Sequence, residues 1–160
     1  MRFEKISKGQ FYNDNVGLYI DYDEIKLPKR ATTKSAGYDI FAVKDVVLKP
    51  GHTIKLPTGI RAIVDDDKFV GIFPRSGLGF KYRVQLDNTV GIIDADYSDS
   101  DNEGHIWVKL TNDSKHHGED NIMRIKQGTA ICQAIILPYF KTEDDDTTEI
   151  RNGGFGSTTK

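Results

Sequence analysis

Val46-Val47-Leu48-Lys49-Pro50-Gly51-His52-Thr53-Ile54-Lys55-Leu56-Pro57-Thr58-Gly59-Ile60-Arg61-Ala62-Ile63-Val64-Asp65-Asp66-Asp67 decides the fold class of this 160-residue chain. Val46-Val47-Leu48, Thr53-Ile54-Lys55-Leu56 and Ile60-Arg61-Ala62-Ile63-Val64 are short and rich in β-branched residues. Each stops at a turn signal: Pro50-Gly51, Pro57-Thr58-Gly59, and the aspartate triplet. Runs of this length with this punctuation read as strands. The same rhythm returns at residues 69–73, 106–111 and 129–137, and only residues 76–83 suggest a short helix, weakened by two internal glycines. The chain is therefore expected to be all-β, a barrel or a double-sheet jelly roll. No repeat of solenoid length interrupts that pattern.

Composition narrows the function classes. The length suits one domain with a substantial core. A net charge of −2 and a pI near 6.1 provide no global basic field, so no direct nucleic-acid binding is expected, although a local triphosphate site is allowed. The lone cysteine, Cys132, sits in an apolar run, excludes an internal disulfide and suits a reducing compartment. There is no signal-peptide pattern and no apolar run of membrane-spanning length, which points to the cytoplasm. Residues 1–24 stand apart as an N-terminal extension with little readable chemistry, residues 25–140 form the β core, and residues 141–160 are an acidic linker followed by a glycine-rich lid segment.

The chemistry concentrates in Asn88-Thr89-Val90-Gly91-Ile92-Ile93-Asp94-Ala95-Asp96-Tyr97. On an extended backbone Asp94 and Asp96 share a face, and two like charges held together call for a cation, a proton or a donor between them. A lone Asp-x-Asp is more often a polar strand end. Other pieces accompany it here. Ser35-Ala36-Gly37-Tyr38-Asp39 sets a carboxylate beside a glycine. Pro74-Arg75-Ser76-Gly77 offers a guanidinium, a hydroxyl and bare amides, which suit phosphate oxygens. Gly128-Thr129-Ala130-Ile131-Cys132-Gln133 ends on an amide. Arg151-Asn152-Gly153-Gly154-Phe155-Gly156-Ser157-Thr158 has the makings of a lid over a base and its phosphates. The aspartate run at residues 65–67 reads as a solvated turn, and the paired His116 and His117 as an exposed loop without the spacing of a zinc site.

These five motifs, in this order, resemble those of the trimeric all-β dUTPases, over residues 25–160. The resemblance implies a distorted jelly-roll/β-barrel subunit in a homotrimer, with active sites at subunit interfaces and an arm that closes over a neighbour's site. It implies dUTP as substrate, Asp94 as general base for the attacking water, and Tyr97 as the ring beneath deoxyribose that excludes a 2′-hydroxyl. By the same likeness Asn88 pairs with the uracil edge near Gly91. Arg75, Ser76, Gly77 and Gln133 meet the phosphates, and Arg151, Phe155, Gly156 and Ser157 belong to the closing arm. Mg2+ would sit mainly on the phosphates, with Asp39 touching it only through water.

The chain departs from the family pattern at several points. The fourth motif lacks the usual arginine, and Arg151 lies one residue nearer to Phe155 than is common. An acidic Ser98-Asp99-Ser100-Asp101-Asn102-Glu103-Gly104 replaces a short basic turn. The related dCTP deaminases share the Pro-Arg-Ser motif but need a glutamate where this chain has Asn112, which cannot shuttle a proton. A regulatory protein partner is the reading from another class, with residues 1–24 and 112–121 as its natural surfaces.

Overall fold

A computed structural model describes residues 1–151 and Gly153. The strands are β1 (Arg2–Lys5), β2 (Lys29–Arg30), β3 (Tyr38–Phe41), β4 (Val46–Leu48), β5 (Thr53–Pro57), β6 (Ile60–Ile63), β7 (Lys68–Pro74), β8 (Val84–Leu86), β9 (Gly91–Ile93), β10 (Trp107–Asn112), β11 (Met123–Ile125) and β12 (Ala130–Pro138). Two helices, α1 (Lys8–Asp14) and α2 (Ser76–Tyr82), and two 3-10 turns, Ala95–Asp99 and Glu119–Asn121, complete the described elements. This is the all-β jelly roll expected from the punctuated strand runs.

The main sheet has the order β2-β3-β12-β7-β9, and β5-β10-β8, β11-β4 and β1-β6 wrap round the same core. All of these pairings are antiparallel. The nine-residue β12 bonds β3 on one edge and β7 on the other, and its first residues are buried. That explains why residues 130–137 read as a nearly continuous apolar run rather than an alternating one. Cys132 lies wholly buried there, and burial pushes its thiol far above the usual range, which keeps it an unreactive packing group.

The short helix expected at residues 76–83 is α2. Arg83 ends it in the left-handed region (φ 52°), its N–H bonding back to Gly79 and Leu78, and its guanidinium reaches Asp113 at 3.0 Å. The aspartate triplet is a turn whose Asp65 and Asp67 are held by Lys68 at 2.9 and 2.6 Å. Residues 141–150 are exposed and contain neither helix nor strand. Among the described residues, no helix is long and apolar enough to cross a membrane.

Residues 1–24 are read above as an extension, and within them residues 1–15 pack into the core. β1 pairs with β6 in the register Arg2↔Ile63 to Lys5↔Ile60, and Ile6 and Phe11 are completely buried. Helix α1 was not anticipated, because seven residues with one buried position carry no periodic signal. Its start carries a local signal, the N-cap serine: Ser7 Oγ accepts a hydrogen bond from the Gln10 N–H at 3.1 Å. Gly59, at φ 71° in the β5–β6 turn, lets this segment dock. A Cβ there would fall 2.5 Å from Ile25 Cδ1 and 3.1 Å from Phe11 Cε2. Phe11→Ala should therefore cost about 3–5 kcal/mol in urea unfolding. A loss below about 1 kcal/mol would place the segment outside the cooperative core.

Candidate functional site

β9 pairs with β7 through Gly91↔Ile72 and Ile93↔Val70, and Asp94 then leaves the sheet still extended (ψ 159°). Asp94 and Asp96 do converge, but not along one strand as the sequence suggests. Asp96 is in the first 3-10 turn, and the cation between the two carboxylates is Arg151. Its Nη2 donates to Asp94 Oδ2 at 2.5 Å and its Nε donates to Asp96 Oδ1 at 2.7 Å. The two carboxylates are half exposed, whereas the guanidinium is only 14% exposed. Burial alone would lower the arginine's pKa, but the bonds to Asp96 and Asp94 outweigh it and hold the charge more firmly than usual. Asp66, Tyr139 and Lys141 line the same hollow.

Tyr97 is the buried residue of that 3-10 turn. Its hydroxyl donates to the His105 carbonyl and accepts from Asn102 Nδ2, both at 3.0 Å, and the Arg151 guanidinium lies 5.8 Å from its ring centre. Burial pushes the phenol pKa up, so the hydroxyl stays protonated.

At the other end of β9 a cleft of about 520 Å³ opens between Ile72, Leu86, Asn88, Gly91, Ile93 and Trp107. A tight β8–β9 connection presents Asn88: Thr89 takes φ 65°, its N–H bonds Leu86 O at 2.9 Å, and the Val90 N–H bonds Asn88 O at 2.6 Å. Lys55, Asp87 and Lys109 also line it, with Lys109 Nζ 2.7 Å from Asp87 Oδ2, and apolar walls carrying an amide and a few charged groups suit a flat heterocycle with a hydrogen-bonding edge.

The third grouping is at the Pro74 end of β7. Register sets Gln133 opposite Asp39 on one side and Phe73 on the other. Arg75 Nε lies 3.1 Å from Asp39 Oδ1, its Nη1 donates to Ala130 O at 3.3 Å, and Gln133 Nε2 donates to Pro74 O at 3.1 Å. Gly37 lies directly over Gln133, where a Cβ would sit 2.3 Å from Oε1. Ser76 and Gly77 are exposed at the start of α2. Together these groups offer a guanidinium, an amide, a hydroxyl and free N–H groups to an anion. Among the described residues no three His, Cys, Asp or Glu side chains cluster as metal ligands. Asp39, a hard oxygen donor one of whose oxygens meets Arg75, has the chemistry to touch a hydrated divalent cation through water.

The residues singled out in the sequence thus fall into three groups: Asp94, Tyr97 and Arg151; Asn88 and Gly91; and Asp39, Arg75, Ser76, Gly77 and Gln133. Phe155, Gly156 and Ser157 lie outside the described residues. The first and third groups sit at opposite ends of β7, near Phe69 and Pro74, five residue steps and roughly 17 Å apart along the strand. The sequence did not reveal His105. Its side chain is fully buried, its Nδ1 lies 2.6 Å from Asp14 Oδ2, and its Nε2 accepts the Gly59 N–H at 3.0 Å. Ninety-one residues separate the partners, so no local pattern announces them.

A dUTPase family profile matches residues 23–159 of this chain. The deoxyuridine 5'-triphosphate nucleotidohydrolase of Lactococcus lactis is 36% identical over 137 residues, covering 84% of this chain and 88% of that protein. The Photorhabdus laumondii enzyme of the same name is 39% identical over 142 residues, covering 84% and 87%. Among solved structures, the dUTPase from Streptococcus mutans superposes with a TM-score of 0.69 at 28% identity, covering 89% of this chain and 99% of that one. A mutant dUTPase from phage phi11 of S. aureus, whose structure details a structural Mg(II) ion in that protein, superposes at 0.65 with 20% identity, covering 92% and 96%.

Burial moves the His105 pKa below its ordinary 6.5, against the opposing pull of Asp14. The unfolded chain therefore binds a proton on this ring more readily than the folded one, and stability is fully present above pH 6.5 and falls as the pH drops below it. Denaturant unfolding between pH 8 and 5.5 should show this loss, and His105→Gln should flatten it. An unchanged slope in that variant would assign the proton to another group.

Proposed function

This chain belongs to the dUTPase family, and we propose that it hydrolyses dUTP to dUMP and pyrophosphate by attack of water on the α-phosphorus. The observation that carries this reading is the layout of β9. The amide-edged cleft of Asn88 and Gly91 lies at its start. A half-exposed carboxylate, Asp94, follows its end beside the buried ring of Tyr97. Three residue steps separate Gly91 from Asp94, roughly 10 Å of extended chain, the scale of a nucleoside from base to α-phosphate.

In this reading Asn88 pairs with the uracil edge, and the same cleft discriminates against a thymine methyl. Tyr97 packs beneath the deoxyribose, so that a 2′-hydroxyl has nowhere to go. Asp94 orients the water and takes its proton as the new P–O bond forms, and the bond to the bridging oxygen breaks to release pyrophosphate. Arg75, Ser76, Gly77 and Gln133 hold phosphate oxygens. The closing arm contributes Arg151 to the γ-phosphate, with Phe155 over the base and Gly156 and Ser157 beside it. Mg2+ bound to the triphosphate would neutralise charge on its oxygens, with Asp39 touching it through water. Deamination is disfavoured, because the buried Asn112 spends its amide on Leu48 O and Asn121 O, at 2.9 and 2.8 Å. The buried, inert Cys132 suits a cytoplasmic enzyme.

One chain does not suffice for this chemistry. Asp94 must lie within hydrogen-bond reach of the water, and the phosphate-binding groups must touch the same triphosphate. The roughly 17 Å between them along β7 exceeds that reach. We therefore place the active site between copies in a homotrimer, one supplying Asn88, Asp94 and Tyr97, and a second supplying Asp39, Arg75 and Gln133.

Pyrophosphate release should be seen with dUTP and not with UTP, dTTP or dCTP, and Asp94→Asn should abolish turnover while dUTP still binds. Strong residual hydrolysis in that variant would remove Asp94 as the base. Inactive Asp94→Asn and Arg75→Ala proteins, unfolded together and refolded in equal amounts, should regain about one quarter of wild-type activity, since random assembly places both intact residues at one junction that often. No recovery would mean that both residues serve the same site from one chain.

A further inference from the structure

The family match begins at residue 23, so β1 and α1 lie ahead of it. Those two elements end on the back of Tyr97, through two anchors. At the start of α1 the Glu103 carboxylate accepts both the Ser7 N–H, at 2.7 Å, and the Ser7 hydroxyl, at 2.6 Å. At its end Asp14 faces His105. Because the Gly59 N–H donates to Nε2, the ring's hydrogen is on Nδ1 and is donated to Asp14. The other Asp14 oxygen accepts from Gln10 Nε2 at 2.9 Å. Phe11 and Trp107 close on the imidazole with ring centres at 6.3 and 5.0 Å.

Both anchors lie at the C-terminal end of the acidic segment, residues 98–104, that departs from the family pattern. It carries the strain of the region: Glu103 sits at φ 58°, and Gly104 at φ 71° packs so closely that a Cβ would come 2.7 Å from Ser98 Cα. Asp99 and Asp101 are exposed, but Asn102 turns inward. Asn102 donates to the Tyr97 oxygen at 3.0 Å while accepting the Gly104 N–H at 3.1 Å, and the carbonyl of His105 itself receives the Tyr97 hydroxyl.

We infer that Asp14 and His105 are positioning residues for Tyr97: the N-terminal helix clamps the imidazole, the imidazole fixes the backbone of residues 102–105, and that backbone holds the phenol where it selects deoxyribose. This rests on the role proposed above for Tyr97. The extension and the acidic segment meet at these two contacts and form one support. A displacement of the ring would open space under the sugar before it disturbed Asp94. Asp14 therefore governs selectivity for the sugar and not the chemical step.

The test is the ratio of kcat/KM for dUTP to that for UTP in the full-length protein. Asp14→Ala should lower the ratio about tenfold, mainly through a higher KM for dUTP, with kcat little changed. Asp14→Asn, whose amide oxygen still accepts the Nδ1 hydrogen, should restore it. Tyr97→Phe should reproduce the Asp14→Ala effect, and the double variant should be no worse than Tyr97→Phe alone, because both act through one hydroxyl. Ile6→Val serves as a control that trims a buried side chain of the same segment while leaving Asp14, Phe11 and Trp107 around the imidazole, and should lower stability while keeping the ratio. An Asp14→Ala protein that loses stability yet keeps its ratio would overturn the inference. If Tyr97→Ala also keeps the ratio, the fault lies with the sugar-selecting role of Tyr97, and if only Asp14→Ala keeps it, with the positioning pair.

Discussion

The two-sided pairing of β7 is the constraint on which the rest of the structure depends. Its seven residues bond β12 on one edge and β9 on the other, and once those registers are set, no side chain can move along the strand without breaking a ladder. Gln133 is thereby fixed beside Phe73, and Arg75 follows Pro74 to meet Asp39. Ile93 is fixed beside Val70, so Asp94 emerges at the opposite end. The separation of Asp94 from Arg75 and Gln133 is therefore a consequence of strand register and not of loop conformation. Hinge motion of a surface loop would not close it, which is why the proposed site draws on two copies.

Much of this was legible in the sequence, for reasons that can be named. The strand runs could be read because each is bounded by residues with fixed backbone habits, Pro50-Gly51 and Pro57-Thr58-Gly59 among them. α2 could be read despite Gly77 and Gly79. Asn88, Asp94 and Tyr97 could be read because they lie within ten residues of one another, and local chemistry survives in local order. What escaped depends on tertiary partners. The pairing of Asp94 with Asp96 was anticipated, but its geometry was not, since a 3-10 turn and an extended strand impose no different requirement on Ala95. α1 escaped because a single buried residue, Phe11, has no period. The Asp14–His105 contact escaped because each residue alone looks like an ordinary polar side chain.

The acidic segment at residues 98–104 shows how far composition can mislead about direction. As a charge pattern it reads as the negative counterpart of a basic turn. In the fold, Asn102 and Glu103 face away from the solvent side of Tyr97 and spend their polar atoms on Ser7, Gly104 and the phenol. The Ser7 bonds hold the Glu103 carboxyl below its ordinary range, so it remains ionised in this role. Glu103 and His105 are thus structural anchors, and N-terminal residues set apart as an extension supply their partners.

The contact of Arg151 with Asp94 and Asp96 has the energetics of a gate and not of a lock. Had all three groups been buried, breaking the triad would leave charges uncompensated at a cost of several kcal/mol. The two carboxylates are half exposed, however, and ion pairs in such surroundings contribute only about 0–1 kcal/mol each. A triphosphate carries more charge and a better geometric match to a guanidinium than a single carboxylate, so under the role proposed for Arg151 it would draw the arginine away from Asp94. The same weak pairing keeps two like charges close together without burying either.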